Sequence, residues 1–356
     1  MRRLAFYAPM KAPTHAVPSG DRTMARALMQ ALSGPVDVEL VSDLRIRDGK
    51  GDVAHQQELE RAAAIEAERL IALNRWSIWV SYHNYYKAPD LIGPAVCRAL
   101  NIPYVLIEAT RASKRLNGPW DRFARAAEAA CDQADVIFHL TERDGEALRA
   151  CKPKGQLIDR LHPFLARETL GAPARPKGRV ILSAGMMRGG DKMASYRGIA
   201  AVLAHLTAAD WVLRIAGDGP AGAEVEALFA SFGDRVVFLG QLDAAGMAQA
   251  YHEASVFLWP GVNEAFGMVY LEAQAAGVPV VAERRPGVED VVECAGMAPM
   301  GDPAAMAQRI DQLLKDTEFQ SHEATQARQF VEDRHLIGTA RTKLWQVMAP
   351  LMAHQS

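Results

Sequence analysis

Pro260-Gly-Val-Asn-Glu-Ala-Phe-Gly-Met-Val-Tyr-Leu-Glu-Ala-Gln-Ala-Ala-Gly-Val-Pro-Val-Val-Ala282 decides how this chain is read. It follows the apolar run Val256 to Trp259, which reads as a buried strand. The chain then turns through Pro260 to Asn263 into a helix whose first turn is expected to hold Ala265 to Val269. Two carboxylates, Glu264 and Glu272, stand on this stretch. Their separation would rotate a continuous helix by about 80°, so they cannot share a face if both are helical. Glu264 is therefore expected in the loop or first turn, and Glu272 a turn or more deeper. The free amides near Phe266, Gly267 and Met268 form an anion site, through orphaned N–H groups and the helix dipole. A carboxylate just before that site can accept hydrogen bonds from a sugar's hydroxyls, and one beyond it can take a ribose's vicinal pair. In isolation the same spacing is equally an acidic residue favoured by the dipole plus a solvated glutamate.

A second loop tips the balance. Ala184-Gly-Met-Met-Arg188-Gly-Gly-Asp-Lys192 leaves the carboxyl end of the first strand in the same half of the chain. Arg188 offers a planar fork and Lys192 a point charge, which suits a diphosphate that gathers negative charge as it leaves. In a parallel sheet both loops open on the same edge. The competing reading is a pair of solvated loop cations partly neutralised by Asp191.

Around these loops the sequence alternates short apolar runs with amphipathic segments, the pattern of parallel sheets wrapped by helices. Strands are expected at Leu4 to Ala8, Val36 to Val41, Ser77 to Ser81, Pro103 to Ile107 and Val136 to Leu140. A linker at Gly171 to Gly178, broken by prolines and glycines, marks the expected domain boundary. The alternation restarts at Val180 to Ala184, Trp211 to Ala216, Arg235 to Leu239, Val256 to Trp259 and Pro279 to Ala282. Helices are expected at Pro303 to Lys315 and from about Ser321 to Val331. Another should run from Thr339 to Met348 and stop before Pro350. The resulting division is 1–170, 171–338 and a C-terminal helix, 339–356, that can pack back on the N-terminal domain.

Composition narrows the classes of function. At 356 residues the chain is long enough for two α/β domains, and 49% hydrophobic residues can fill their cores. A formal charge of -2 gives no general reason to expect nucleic acid. Cys97, Cys131, Cys151 and Cys294 show neither metal-ligand nor disulfide-framework spacing, and reduced thiols in a cytoplasm fit them. No apolar run approaches the roughly 18 residues of a membrane span. Arg111, Lys114, Arg115, Arg122 and Arg125, with Trp120, form a local basic concentration. They suit an anionic acceptor or a lipid surface, but Asp121 and Glu128 interleave as in a solvated face, so peripheral membrane contact is not indicated.

Gly217-Asp-Gly219-Pro-Ala-Gly222 invites a different reading, because it follows a strand and precedes a helix as a dinucleotide fingerprint does. It is the second rather than the first such unit of its half, however, and Pro220 removes an amide. No acidic residue ends the next strand. Asp218 still lies at a strand's carboxyl end, where ligands bind.

The stretch Asn263 to Val281, with Ile215 to Gly219 and Val237 to Gly240 in support, resembles the retaining glycosyltransferases of family 4. That resemblance implies the GT-B fold: an α/β protein of two Rossmann-like domains with parallel sheets facing a central cleft that closes on substrate. It implies that Arg188 and Lys192 contact the donor diphosphate and Glu264 the transferred sugar, these three carrying catalysis. Phe266, Gly267, Met268 and Val269 would reach the phosphates and sugar through their backbone, and Glu272 the ribose. Asp218 and Gly219 complete the expected donor site. The implied reaction is metal-independent transfer with retention, from a UDP- or GDP-linked sugar to a glycan, lipid or small-molecule acceptor, with no cofactor.

The N-terminal half departs from the family pattern. Members carry a histidine after the strand matching Pro103 to Ile107, where this chain has Glu108, Thr110 and Arg111. His83, at the end of another strand, is a substitute for it or simply a packed histidine. The family's glycine-rich first loop is represented by Gly20 and Asp21 alone, which also read as a helix start beside Ser19. Gly20, Asp21, His83, Glu108 and Arg111 are thus the acceptor-side candidates. Rival functions are an NAD-dependent oxidoreductase using the Gly217 to Gly222 loop and a noncatalytic sugar-nucleotide binding protein.

Overall fold

The computed structural model describes residues 2–16 and 19–353. The chain forms two compact units, one of Met1–His162 with Ile337–Ser356 and the other of Pro163–Leu336. Each unit is built on a six-stranded sheet whose described strand pairs are all parallel.

The first unit runs β1 (Arg3–Tyr7), α1 (Gly20–Leu32), β2 (Asp37–Ser42), α2 (Val53–Leu73), β3 (Ile78–Asn84), α3 (Gly93–Leu100), β4 (Tyr104–Ala109), α4 (Asp121–Gln133), β5 (Val136–His139), α5 (Glu142–Ala150) and β6 (Leu157–Arg160). Its strand order is β2-β1-β3-β4-β5-β6. The order reverses beside β1, so the crevice for a ligand lies at the carboxyl ends of β1 and β3. Ser19 caps α1 by accepting from Arg22 N, and Asp52 caps α2 from Ala54 N and His55 N. β3 is buried along its whole length, as expected of a central parallel strand covered on both faces. β3 and β4 extend beyond the runs read as strands and take in His83 and Glu108. The short β6 and the polar α5 escape the hydrophobic pattern altogether.

The second unit runs β7 (Arg179–Ala184), α6 (Asp191–His205), β8 (Trp211–Ala216), α7 (Gly222–Phe229), β9 (Val236–Gly240), α8 (Ala244–Glu253), β10 (Val256–Leu258), α9 (Met268–Ala275), β11 (Val280–Glu283), β12 (Met297–Ala298), α10 (Pro303–Lys315) and α11 (Thr317–Arg334). Its order, β12-β11-β10-β7-β8-β9, reverses between β7 and β10. The loop bearing Arg188 and the loop bearing Glu264 leave those two strands. The alternation seen in sequence thus becomes two Rossmann-like sheets of the GT-B type.

Three expectations change. The segment from Gly171 to Gly178 is no free linker: Ala174 N, Arg175 N and Lys177 N bond to the carbonyls of Ala276, His252 and Glu253 in the second unit. The contact boundary falls before Pro163, because Leu165 N bonds His335 O and the His335 ring bonds Pro163 O. The last helix, α12 (Ile337–Ala353), does not stop before Pro350 but carries it inside the helix. Tertiary packing outweighs the lost amide there: Leu344, Met348 and Met352 are buried, and Arg2 donates to Met352 O at 2.8 Å. By its contacts α12 belongs to the first unit.

Candidate functional site

The second unit gathers the residues singled out around the β7 and β10 loops. Glu264 lies in the loop after β10, its amide bonded to Gly261 O at 3.2 Å. Helix α9 begins only at Met268, so Ala265, Phe266 and Gly267 precede the helix rather than form its first turn. Gly267 allows the late start, with φ of +76° and the Tyr270 ring 2.8 Å from where a Cβ would stand. No side chain caps α9, and the amides of Met268 and Val269 have no acceptor among the described residues. They are the orphaned donors of a helix N-terminus.

Glu264 and Lys192 form an ion pair. The same carboxylate oxygen, Oε1, accepts Trp259 Nε1–H at 3.0 Å, and the Lys192 ammonium sits 5.2 Å from the centre of the Trp259 ring. Two donors on one oxygen hold the carboxylate in place and leave Oε2 for another donor. Asn263 donates to Asp191 Oδ1 at 2.9 Å, and Ser195 Oγ accepts Val262 N at 3.1 Å, which ties this loop to the start of α6. Arg188, in contrast, is exposed on the loop before α6 and its guanidinium has no partner among the described residues. Lys192 and Arg188 thus frame the N-terminus of α6, which also lacks a side-chain cap.

Glu272 occupies a different wall. It lines an open cavity of about 640 Å³ with Tyr251, Arg167, Ala244, Ala248 and Gln249, which neither Glu264 nor Lys192 lines. Tyr251 OH donates to Glu272 Oε2 at 3.0 Å. Burial raises the Glu272 carboxyl above its ordinary range, with Tyr251 and Arg167 pulling the other way.

Asp218 and Gly219 serve the site indirectly. The Asp218 carboxylate accepts Gly219 N at 2.6 Å, and Asp218 O accepts Met187 N at 3.0 Å. A Cβ at Gly217 would lie 1.9 Å from Gly185 O, and one at Gly219 2.3 Å from Met187 O. These glycines let the turn press against the backbone that carries Arg188. Gly217 N, Ala221 N and Gly222 N are bonded to carbonyls, so the amides a dinucleotide pyrophosphate would use are spent.

In the first unit, the ends of β3 and β4 and the start of α1 bring together Asp21, His83 and Glu108. His83 Nε2 lies 3.6 Å from Asp21 Oδ1, and Nδ1 3.6 Å from Glu108 Oε2. Both His83 and Glu108 have left-handed backbone, φ +73° and +61°, a conformation that non-glycine residues adopt at a cost and that collects at functional sites. His83 Nε2 and Glu108 Oε2 are buried and reach no hydrogen-bond partner. Burial disfavours the imidazolium, but Glu108 and Asp21 outweigh it and raise the His83 pKa. Burial, helped by Asp21, raises that of Glu108. Burial opposes ionisation of Asp21 too, yet His83 and Lys11 bring its pKa down. Gly20 opens α1 with nothing within 4 Å of where its Cβ would be, so local packing does not demand glycine there.

Arg111 does not join them. It bonds Glu128 and Asp132, each at 2.6 Å, and Cys151 O at 3.3 Å. A guanidinium buried by its surroundings needs those carboxylates, so it fastens the chain to α4 instead of facing a ligand. The sequence reading missed Trp259, Asn263, Ser195 and Tyr251. Trp259 and Asn263 flank Glu264 and were open to discovery as polar-tipped residues at a strand's end. Among the described residues, no group of three or more His, Cys, Asp and Glu side chains is placed to hold a metal ion. No described helix is long and apolar enough to cross a membrane.

Residues 178–316 match the family model described as "Glycosyl transferases group 1". Over 339 residues the chain is 25% identical to a D-inositol 3-phosphate glycosyltransferase of Frankia alni, covering 82% of this chain and 81% of that protein. It is 42% identical to the sulfoquinovosyl transferase SQD2 of Arabidopsis thaliana over 76 residues, 21% of this chain and only 14% of that protein. The Anabaena Alr3699/HepE structure in complex with UDP and glucose superposes with a TM-score of 0.70 at 14% identity, over 97% of this chain and 99% of that one. That last likeness is one of fold.

Proposed function

We propose that this chain, a member of the group 1 glycosyl transferases through residues 178–316, moves a sugar from a nucleoside-diphosphate donor to an acceptor hydroxyl with retention at the anomeric carbon. The observation that carries this reading is the Glu264–Lys192 ion pair beside the uncapped start of α9 and the exposed Arg188, which has no partner among the described residues. Glu264 Oε2 accepts a hydroxyl of the transferred sugar. Lys192, Arg188 and the amides of Met268 and Val269 take the diphosphate, stabilising charge that grows as the glycosidic bond breaks. Phe266 and Gly267 shape the approach to those amides, and Glu272 takes the ribose. The acceptor hydroxyl attacks on the face the diphosphate leaves, and the leaving oxygen takes its proton.

No step in this scheme calls for a metal or a cofactor, and UDP- and GDP-linked sugars are the donor classes to try. Gly20, Asp21, His83 and Glu108 form the acceptor side of the proposal, and Arg111 no longer belongs to it. The superposed structure binds UDP and glucose, which favours a nucleotide sugar over NAD, as do the spent amides of the Gly217 to Gly222 turn. Donor hydrolysis across a panel of nucleotide sugars, with and without EDTA, tests the reading without a known acceptor. Hydrolysis of at least one, insensitive to EDTA and yielding the α-sugar from an α-linked donor, is expected. Stabilisation by NAD alone in a thermal-shift comparison with UDP and GDP would sink it.

A further inference from the structure

Lys87 and Arg115, in the first unit, lie over the same two aromatic rings. The Lys87 ammonium lies 5.5 Å from the centre of the Tyr86 ring and 5.8 Å from that of Trp120, and the Arg115 guanidinium 4.8 and 5.8 Å from the same two rings. Neither forms an ion pair among the described residues. Three nearby arginines do: Arg111 pairs with Glu128 and Asp132, Arg122 with Glu60, and Arg125 with Asp121. Lys87 and Arg115 are thus two cations stacked on one aromatic pair without a carboxylate partner among the described residues. The two rings meet edge to face, with centroids 5.6 Å apart.

This platform is rigidly held. Trp120 Nε1–H donates to Asp48 O at 3.2 Å, while Asp48 N donates to Lys87 O at 2.9 Å, so one residue fixes both halves. The Asp48 carboxylate is itself anchored by the buried Gln56 at 2.7 Å, and Gln56 also donates to Pro119 O at 2.9 Å. Tyr86 and Lys87 follow β3, and Arg115 and Trp120 follow β4. Both segments leave the carboxyl edge of the sheet, where open α/β sheets bind ligands.

We propose that Lys87 and Arg115 bind the phosphate of a phosphorylated sugar or polyol, while Tyr86 and Trp120 pack against its apolar C–H face. An ammonium and a guanidinium match the two charges and several acceptor oxygens of a phosphate ester. A preformed aromatic surface adds contact area at little entropic cost. Naming this ligand the acceptor rests on the transferase reading; the binding chemistry does not.

Glucose 6-phosphate, glucose 1-phosphate and glycerol 3-phosphate, each paired with its unphosphorylated form, are to be titrated by calorimetry. Vesicles of phosphatidylglycerol, with phosphatidylcholine as control, form a second arm. At least one phosphate ester is expected to bind tenfold or more tightly than its neutral partner. That affinity should fall at least tenfold in the Lys87→Ala, Arg115→Ala double variant, with UDP binding unchanged. Binding to the anionic vesicles alone assigns the ester to a lipid headgroup, and binding to a soluble ester alone assigns it to a free metabolite. No preference for phosphate in either arm, or affinity unaltered in the double variant, overturns the proposal. A chain that binds the esters here but hydrolyses no nucleotide sugar refutes the transferase reading and leaves this site standing.

Discussion

Lys192 and Glu264 neutralise one another, so the meaning of either charge depends on its partner. Removing one leaves the other half-buried and unmatched, which costs both the site's geometry and its charge. Glu264→Ala and Lys192→Ala are each expected to slow sugar transfer at least tenfold, about 1.4 kcal/mol in barrier; unchanged turnover in both would contradict the assigned roles. Arg111→Ala should instead lower the melting temperature while leaving turnover per folded molecule intact, because its bonds are all to Glu128, Asp132 and Cys151. At His83 the raised pKa fixes the sign of a pH effect. Its stabilisation is complete below the unfolded value of about 6.5 and is lost as pH climbs through the folded one. Asp21 behaves oppositely, its contribution present above about 3.8 and lost as pH falls through its lowered pKa. Denaturation midpoints of the parent and His83→Gln should therefore differ most at about pH 6 and converge toward about pH 9; a constant difference would show that the imidazole's charge is immaterial.

At the scale of elements, the loops after β7 and β10 meet at a reversal of strand order. The Gly217 to Gly219 turn supports the Arg188 loop by backbone contact alone. Gly217→Ala combines φ of +143° with a Cβ 1.9 Å from a carbonyl oxygen. The backbone conformation by itself costs about 1–3 kcal/mol, so a drop in melting temperature with weakened UDP binding is expected in calorimetry. In the proposed donor site, helix α9 would join the diphosphate and ribose ends. Because burial raises the Glu272 pKa, its carboxylate starts to protonate above the ordinary 4.5, and UDP affinity should begin to fall at a pH higher than that. An affinity that is flat down to about pH 4 would remove Glu272 from the ribose.

For the whole molecule, the chain's return matters most. It leaves the first unit at His162 and re-enters it with α12, whose Leu344 is fully buried. Leu344→Ala should cost about 2–5 kcal/mol, and hydrogen exchange should show the loss in α1 rather than in β7 to β9. Equal loss in both would mean that α12 supports more than the unit it joins. The paired α/β alternation, the loops at strand ends and the carboxylate–cation constellation were all legible in the sequence, because periodicity, glycine placement and side-chain chemistry are local properties. The spacing of Glu264 and Glu272 put Glu264 in the loop or first turn, and the structure decides for the loop, because the helix starts only at Met268. Local pattern could not show that Arg111 is consumed by α4, that Glu264 is clamped by Trp259, or that α12 runs through Pro350. Each of those depends on partners remote in the chain, and the free energy of a charge, a rotamer or a helix end is set by whatever the fold packs against it.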